Sequence, residues 1–213
     1  MINGGGEILN NYIKYEFKRG FFSIKNKLSI ILCVMCMVLY VIEKLIDVGV
    51  KTDASYLFNV TVIELIKLLA PILVCLPFVD SYIDDVNSGM NRYLYTKITP
   101  LKYGLTKILV NGLLGGLVLL IGSAISFLIF LTRGINGFDN SLVNEHLLHI
   151  FNKSPLEYVS LLLLFMFIFG ITFSTLGLGL STIFKNRYIS TLILFVLYIL
   201  SGFFSIKLNA TRL

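Results

Sequence analysis

The sequence predicts an all-α integral membrane protein, a bundle of five transmembrane helices preceded by an amphipathic interfacial helix. Three observations carry that prediction. Apolar residues make up 56% of the 213 positions and charged residues only 14%, with a mean hydropathy of +0.86. A soluble domain carries about 25% charged residues, so this chain lacks the polar surface that water requires. The apolar residues are gathered into five long runs, and a backbone in hydrocarbon must pair its own polar groups, which makes each run a helix. Together these runs use most of the length, so a single membrane domain over 28–213 is expected behind an N-terminal segment at 1–27.

Within 1–27, Leu9, Tyr12, Ile13, Phe17, Gly20 and Phe21 recur at helical spacing, with Lys14 and Lys18 on the opposite face. A basic amphipathic helix before a first span belongs in the membrane interface. Two roles stay open for it: a positive-inside anchor, or an elbow helix that packs on the bundle and senses a cytoplasmic partner. The mixed polar character of 1–27 and the absence of a small-residue cleavage site after the first apolar run predict no cleaved signal peptide.

The first span is expected over 28–42, extended past Glu43 and Lys44 to Ile46. The second is expected over 65–83, with Pro71 and Pro77 inside it and Lys67 and Asp80 near its ends. The remaining three cover 108–131, 159–184 and 188–204, and each run approaches the ~20 residues that cross ~30 Å of hydrocarbon. With the N-terminus inside, the segments 1–27, 80–107 and 185–187 hold eleven of the 18 Lys and Arg residues, so the positive-inside rule favours that orientation. The same placement explains the net charge of +6 without a nucleic-acid partner, and no basic run of the kind that binds one is present. Abundant Ile, Lys and Asn point to an AT-rich, bacterial source and hence to the cell membrane.

Small residues crowd spans three and four: Gly112 and Gly116 form a GxxxG pair, and Gly170, Ser174 and Gly177 follow on span four. Such residues let helices approach closely in lipid, where packing drives association. Cys33 and Cys36 form a CxxC inside a continuous apolar run, which reads as small buried side chains rather than a redox or zinc site. Spans three and four carry no ionisable residue between Lys107 and Arg133 or between Glu157 and Lys185, which argues against proton- or ion-coupled transport. Asp80, Asp84 and Asp85 cluster at the inner end of span two, but a Mg²⁺ site of the kind lipid-modifying enzymes use needs further ligands on another helix. His146 and His149, beside Glu145, are two potential ligands at most and read as outer-surface polar residues.

The loop between spans two and three is the most informative stretch. It runs Asp84, Asp85, Ser88, Gly89, Arg92, Lys97, Thr99, Pro100, Tyr103 and Lys107, with a short surface helix expected at about 84–100. Tyr93, Leu94 and Ile98 can share one face of that helix, and Thr99 with Pro100 restarts the chain as the next span. The spacing of Asp85, Ser88, Gly89, Pro100 and Lys107 resembles the loop after the second span of type-2 ABC transporter permeases. The stretch Tyr15-Glu16-Phe17-Lys18-Arg19 likewise resembles that family's elbow helix.

The resemblance implies a six-span permease half with both termini in the cytoplasm, its sixth span outside this chain. It further implies pairing with a second permease half, identical or different, and two copies of a separate ATP-binding subunit engaged by the 84–100 coupling helix. ATP and Mg²⁺ would then be bound by that partner and no cofactor by this chain, which holds no GxxxxGK[ST] loop. The expected function is therefore an exporter subunit, itself not an enzyme, moving an amphipathic or hydrophobic peptide, drug or lipid. The alternatives are a non-transporting immunity or assembly protein and, further off, a metal-dependent lipid-modifying enzyme.

Overall fold

The computed structural model describes residues 4–48, 53–134, 154–184 and 186–210. Among them every regular element is helical: α1 (Gly4–Phe21), α2 (Ile24–Val48), α3 (Ala54–Cys75), α4 (Ser81–Asn87), α5 (Met90–Tyr95), α6 (Pro100–Phe130), α7 (Pro155–Phe184) and α8 (Arg187–Ala210). Four stretches are long and apolar enough to cross a bilayer, namely Ile24–Ile46, Ala54–Cys75, Pro100–Phe130 and Pro155–Phe184. This is the architecture of a multi-pass membrane protein. Among the described residues a fifth, shorter apolar helix covers Tyr188–Gly202, inside the fifth expected run.

The second span differs from expectation. Its helix occupies Ala54–Cys75 rather than 65–83, and the chain turns over 76–80 before α4. Its first half looks too polar to be a span because Ser55, Asn59 and Thr61 dilute the hydropathy, yet all three are buried in the bundle. Thr61 donates its hydroxyl to the Leu57 carbonyl, and Asn59 accepts from the Tyr158 hydroxyl at 2.8 Å, so two of the three are partnered, while the Ser55 hydroxyl makes no hydrogen bond. A π-helical turn at Thr61–Ile66 precedes Pro71, which sits inside the helix without ending it. Beyond Cys75, Pro77 lacks the N–H that another helical turn would need.

The main core joins α2, α3, α6, α7 and α8. Met37 and Cys33 of α2, Phe58, Ile66 and Val74 of α3, Leu119 and Phe127 of α6, Tyr158 of α7 and Leu194 of α8 form one buried apolar cluster. The most extensive helix–helix interface is that between α6 and α7, and its cause is the small residues. A Cβ on Gly170 would lie 2.7 Å from the Gly115 carbonyl oxygen, Gly112 meets Ile171 and Thr175, and Gly116 meets Phe167. Beside this crossing, Ser174 donates to the Asn111 carbonyl at 2.9 Å while the Asn111 amide donates back to the Ser174 carbonyl. Gly177 serves a different contact, against Cys75, Val79 and Leu194.

Candidate functional site

Helix α1 turns a stripe of Tyr12, Glu16 and Gly20 toward the bundle, one residue per helical turn. Gly20 permits the approach, since a Cβ there would fall 2.2 Å from the Leu114 side chain of α6. Phe17 and Phe21 pack beside it against Phe78, Val110 and Leu114. The stripe therefore drives a carboxylate, Glu16, into full burial. Lys14 and Lys18 stay exposed on the far side, as their spacing predicts.

Three further charges meet Glu16. Lys107, two turns into α6, places its ammonium 2.8 Å from Glu16 and 2.7 Å from Asp85 of α4. Arg19 lies 2.8 Å from Asp85 and 3.3 Å from Glu16. Tyr103, one turn before Lys107, donates its hydroxyl to Asp85 at 2.8 Å. The Phe78 ring closes one side, 5.3 Å from the Lys107 ammonium and 5.9 Å from the Arg19 guanidinium. Two positive and two negative groups balance, which is what makes such burial tolerable: unpaired, each ion would cost several kcal/mol.

Burial opposes ionisation of Asp85, but the Lys107 charge and the hydrogen bonds from Lys107, Arg19 and Tyr103 outweigh it and hold its carboxyl below the ordinary 3.8. Burial likewise opposes the charge on Arg19, yet its bond to Asp85 and the nearby Glu16 raise its pKa. The Tyr12 phenol is pushed up by burial and then by the Glu16 and Asp85 carboxylates. The sign for Asp85 is that of a depressed acid: its contribution to stability is fully present above 3.8 and lost only as pH falls through the lower folded value. Thermal unfolding of the detergent-solubilised chain is expected to show an acid limb below about pH 3.8 that Asp85→Asn flattens. An unchanged limb in that variant would remove Asp85 from its cause.

A second ionic tie runs alongside. Lys25, at the start of α2, pairs with Asp80 and lies 4.0 Å from Asp84. Asp80, Asp84 and Asp85 thus each lie within 4.0 Å of one of the chain's own cations. At another place in the bundle Glu64, in the π turn, pairs with Lys44 at 3.2 Å and accepts from the Tyr40 hydroxyl.

The loop itself is not one surface helix over 84–100. It is α4 and α5 with Gly89 between them at φ 72°, a left-handed conformation that favours glycine. Leu94 and Ile98 pack with Tyr12 and Tyr103, while Tyr93 is exposed instead of sharing their face. Arg92 and Lys97 are exposed, Lys97 lying 5.0 Å above the Tyr93 ring, and Ser88 is at the exposed turn before Gly89. Pro100 does open α6 behind an extended Thr99, whose side chain makes no capping bond.

The structure brings together Arg19, Asp85 and Lys107 from the residues picked out by sequence, and leaves Ser88, Gly89, Arg92 and Lys97 on the adjacent surface. Glu16 and Tyr103 complete the cluster. Their signal was an acid one turn from both Tyr12 and Gly20, and a Tyr one turn before Lys107. His146, His149 and Glu145 lie outside the described residues. The chain matches no family model, no curated protein and no solved structure.

Proposed function

We propose that this chain is the membrane-spanning permease subunit of an ATP-driven exporter, powered by a separate ATP-binding chain that engages α4, α5 and the turn at Gly89. The observation that carries the reading is the buried Glu16–Arg19–Asp85–Lys107 cluster. It fastens α1 and the short-helix segment to the first turns of α6, so a push on the exposed α5 surface moves a membrane helix rather than a slack loop. In this reading α1 is the elbow helix, the N-terminus is cytoplasmic, and ATP and Mg²⁺ belong to the partner. A second permease half, identical or different, would complete the path. The cargo is amphipathic or hydrophobic, in keeping with the absence of Asp, Glu, Lys, Arg and His over 108–130 of α6 and 158–184 of α7.

The test is ATP hydrolysis by the chain co-purified from its host with a subunit carrying a GxxxxGK[ST] loop. Arg92→Glu, at an exposed site, is expected to leave the unfolding temperature of the chain unchanged and to abolish most partner-dependent ATPase activity. Gly89→Ala meets no atom within 4 Å, so its cost of roughly 1–2 kcal/mol is confined to the left-handed backbone, and it should lower coupling by re-angling α5. Full ATPase coupling in both variants would exclude this segment as the docking surface.

A further inference from the structure

We infer that the cleft between α6 and α7, beside the ionic cluster, is a binding site for an amphiphile with a cationic head group. The cleft holds about 450 Å³. Tyr82 and Tyr95, from α4 and α5, line it together with Tyr103, and Ile108 and Leu176 line it further along the two helices. Gly104 and Gly179 both line it, and a Cβ on either would meet nothing within 4 Å, so the space is kept open by the lack of side chains there.

The head group follows from which charges are available. Among the described residues the one ionic side chain in the lining is Lys107, and its ammonium is already held by Glu16 and Asp85 with 3% of the side chain exposed. No lining cation is therefore free to receive an anion. Aromatic rings are what a ligand head meets, and ring faces attract ammonium groups by several-fold in affinity. Tyr103 is itself covered, with the Lys107 ammonium 5.6 Å from its ring centre and Tyr12 stacked on it, so the rings left for a head group are those of Tyr82 and the exposed Tyr95. The tail follows from exposure: Ile108 and Leu176 are 47% and 56% exposed, so the cleft opens sideways onto the medium around the helices. An apolar chain can enter from there while its head stays among the tyrosines. That such a ligand is exported cargo rests on the permease reading; that it binds does not.

The experiment is calorimetric titration of the chain in lipid nanodiscs with dodecyltrimethylammonium. Dodecyl sulfate and dodecyl maltoside serve as same-tail controls, and empty nanodiscs give the partitioning background. The cation is expected to bind saturably and roughly tenfold more tightly than either control. Gly179→Leu should fill the cleft without lowering the unfolding temperature and weaken binding about tenfold, with Gly104→Leu as a second filler if the first does not fold. Tyr95→Phe, which keeps the ring, should stay within about twofold, whereas Tyr95→Leu should lose about fivefold or more. Equal or tighter binding of the sulfate, or undiminished binding in the filled variant, would overturn the site. Saturable binding that leaves a partner's ATPase rate unmoved upholds the site and removes only its role as cargo site.

Discussion

Replacing Lys107 by Met is expected to destabilise the chain by about 3–5 kcal/mol, because it leaves buried carboxylates without their main counter-charge. Lys107 touches both Glu16 and Asp85, and all three are almost completely enclosed. Arg19 alone would face two acids, so one of them must take up a proton or drag water into the cluster. Removing Asp85 at the same time restores balance, because Glu16 keeps Arg19 as its partner at 3.3 Å. Asp85→Asn combined with Lys107→Met should therefore cost less than Lys107→Met by itself. Chemical or thermal unfolding of the four chains in one detergent makes the double-mutant cycle. Costs that simply add, to within about 0.5 kcal/mol, would mean that the cluster is not an energetic unit.

Gly170→Ala is the second large effect. The added methyl carbon would sit 2.7 Å from the Gly115 carbonyl oxygen and 2.8 Å from the Gly116 Cα. Both obstacles are backbone, so no side chain can swing away, and α6 and α7 must separate along their most extensive interface. Separation also strains the reciprocal bonds of Asn111 and Ser174. Overpacking of this kind costs about 1–3 kcal/mol and more where the backbone cannot yield. The control is Gly179→Ala on the same helix, where the new carbon meets nothing within 4 Å and the gain in helix propensity is up to ~1 kcal/mol. The two alanines should shift the unfolding temperature in opposite directions; a shared direction would show that the crossing is not limited by steric contact.

Much of this architecture is legible in the sequence because hydrocarbon imposes so narrow a choice on the backbone. Long apolar runs become helices, and the expected runs at 28–46, 108–131 and 159–184 coincide closely with α2, α6 and α7. The second span escaped at its first half for a physical reason. Hydropathy scores Asn59 and Thr61 as though they faced lipid, whereas each is buried and hydrogen-bonded within the bundle. The surface helix was overextended because helical periodicity continues across Gly89, and only the folded backbone reveals the positive φ there. Individual members of the ionic cluster were visible as well. Asp85 and Lys107 were picked out by the resemblance of their loop to that of type-2 ABC permeases, and Arg19 by the resemblance of its segment to an elbow helix.

The N-terminal helix preceding the bundle shows where sequence stops and tertiary structure begins. The sequence by itself determined that residues 9–21 form an amphipathic helix and that most of the chain belongs in a membrane. Both are consequences of periodicity and transfer energy, which are local properties of the chain. Only the tertiary structure decided which stripe of that helix faces inward, and it chose the one carrying Glu16. A carboxylate is placed on a buried face only when counter-charges from elsewhere meet it there. Arg19 lies one turn along the same helix, but Lys107, the ammonium that reaches Glu16 at 2.8 Å, comes from 91 residues away on α6. No local pattern can announce such a meeting, because its energy exists only once the helices have packed.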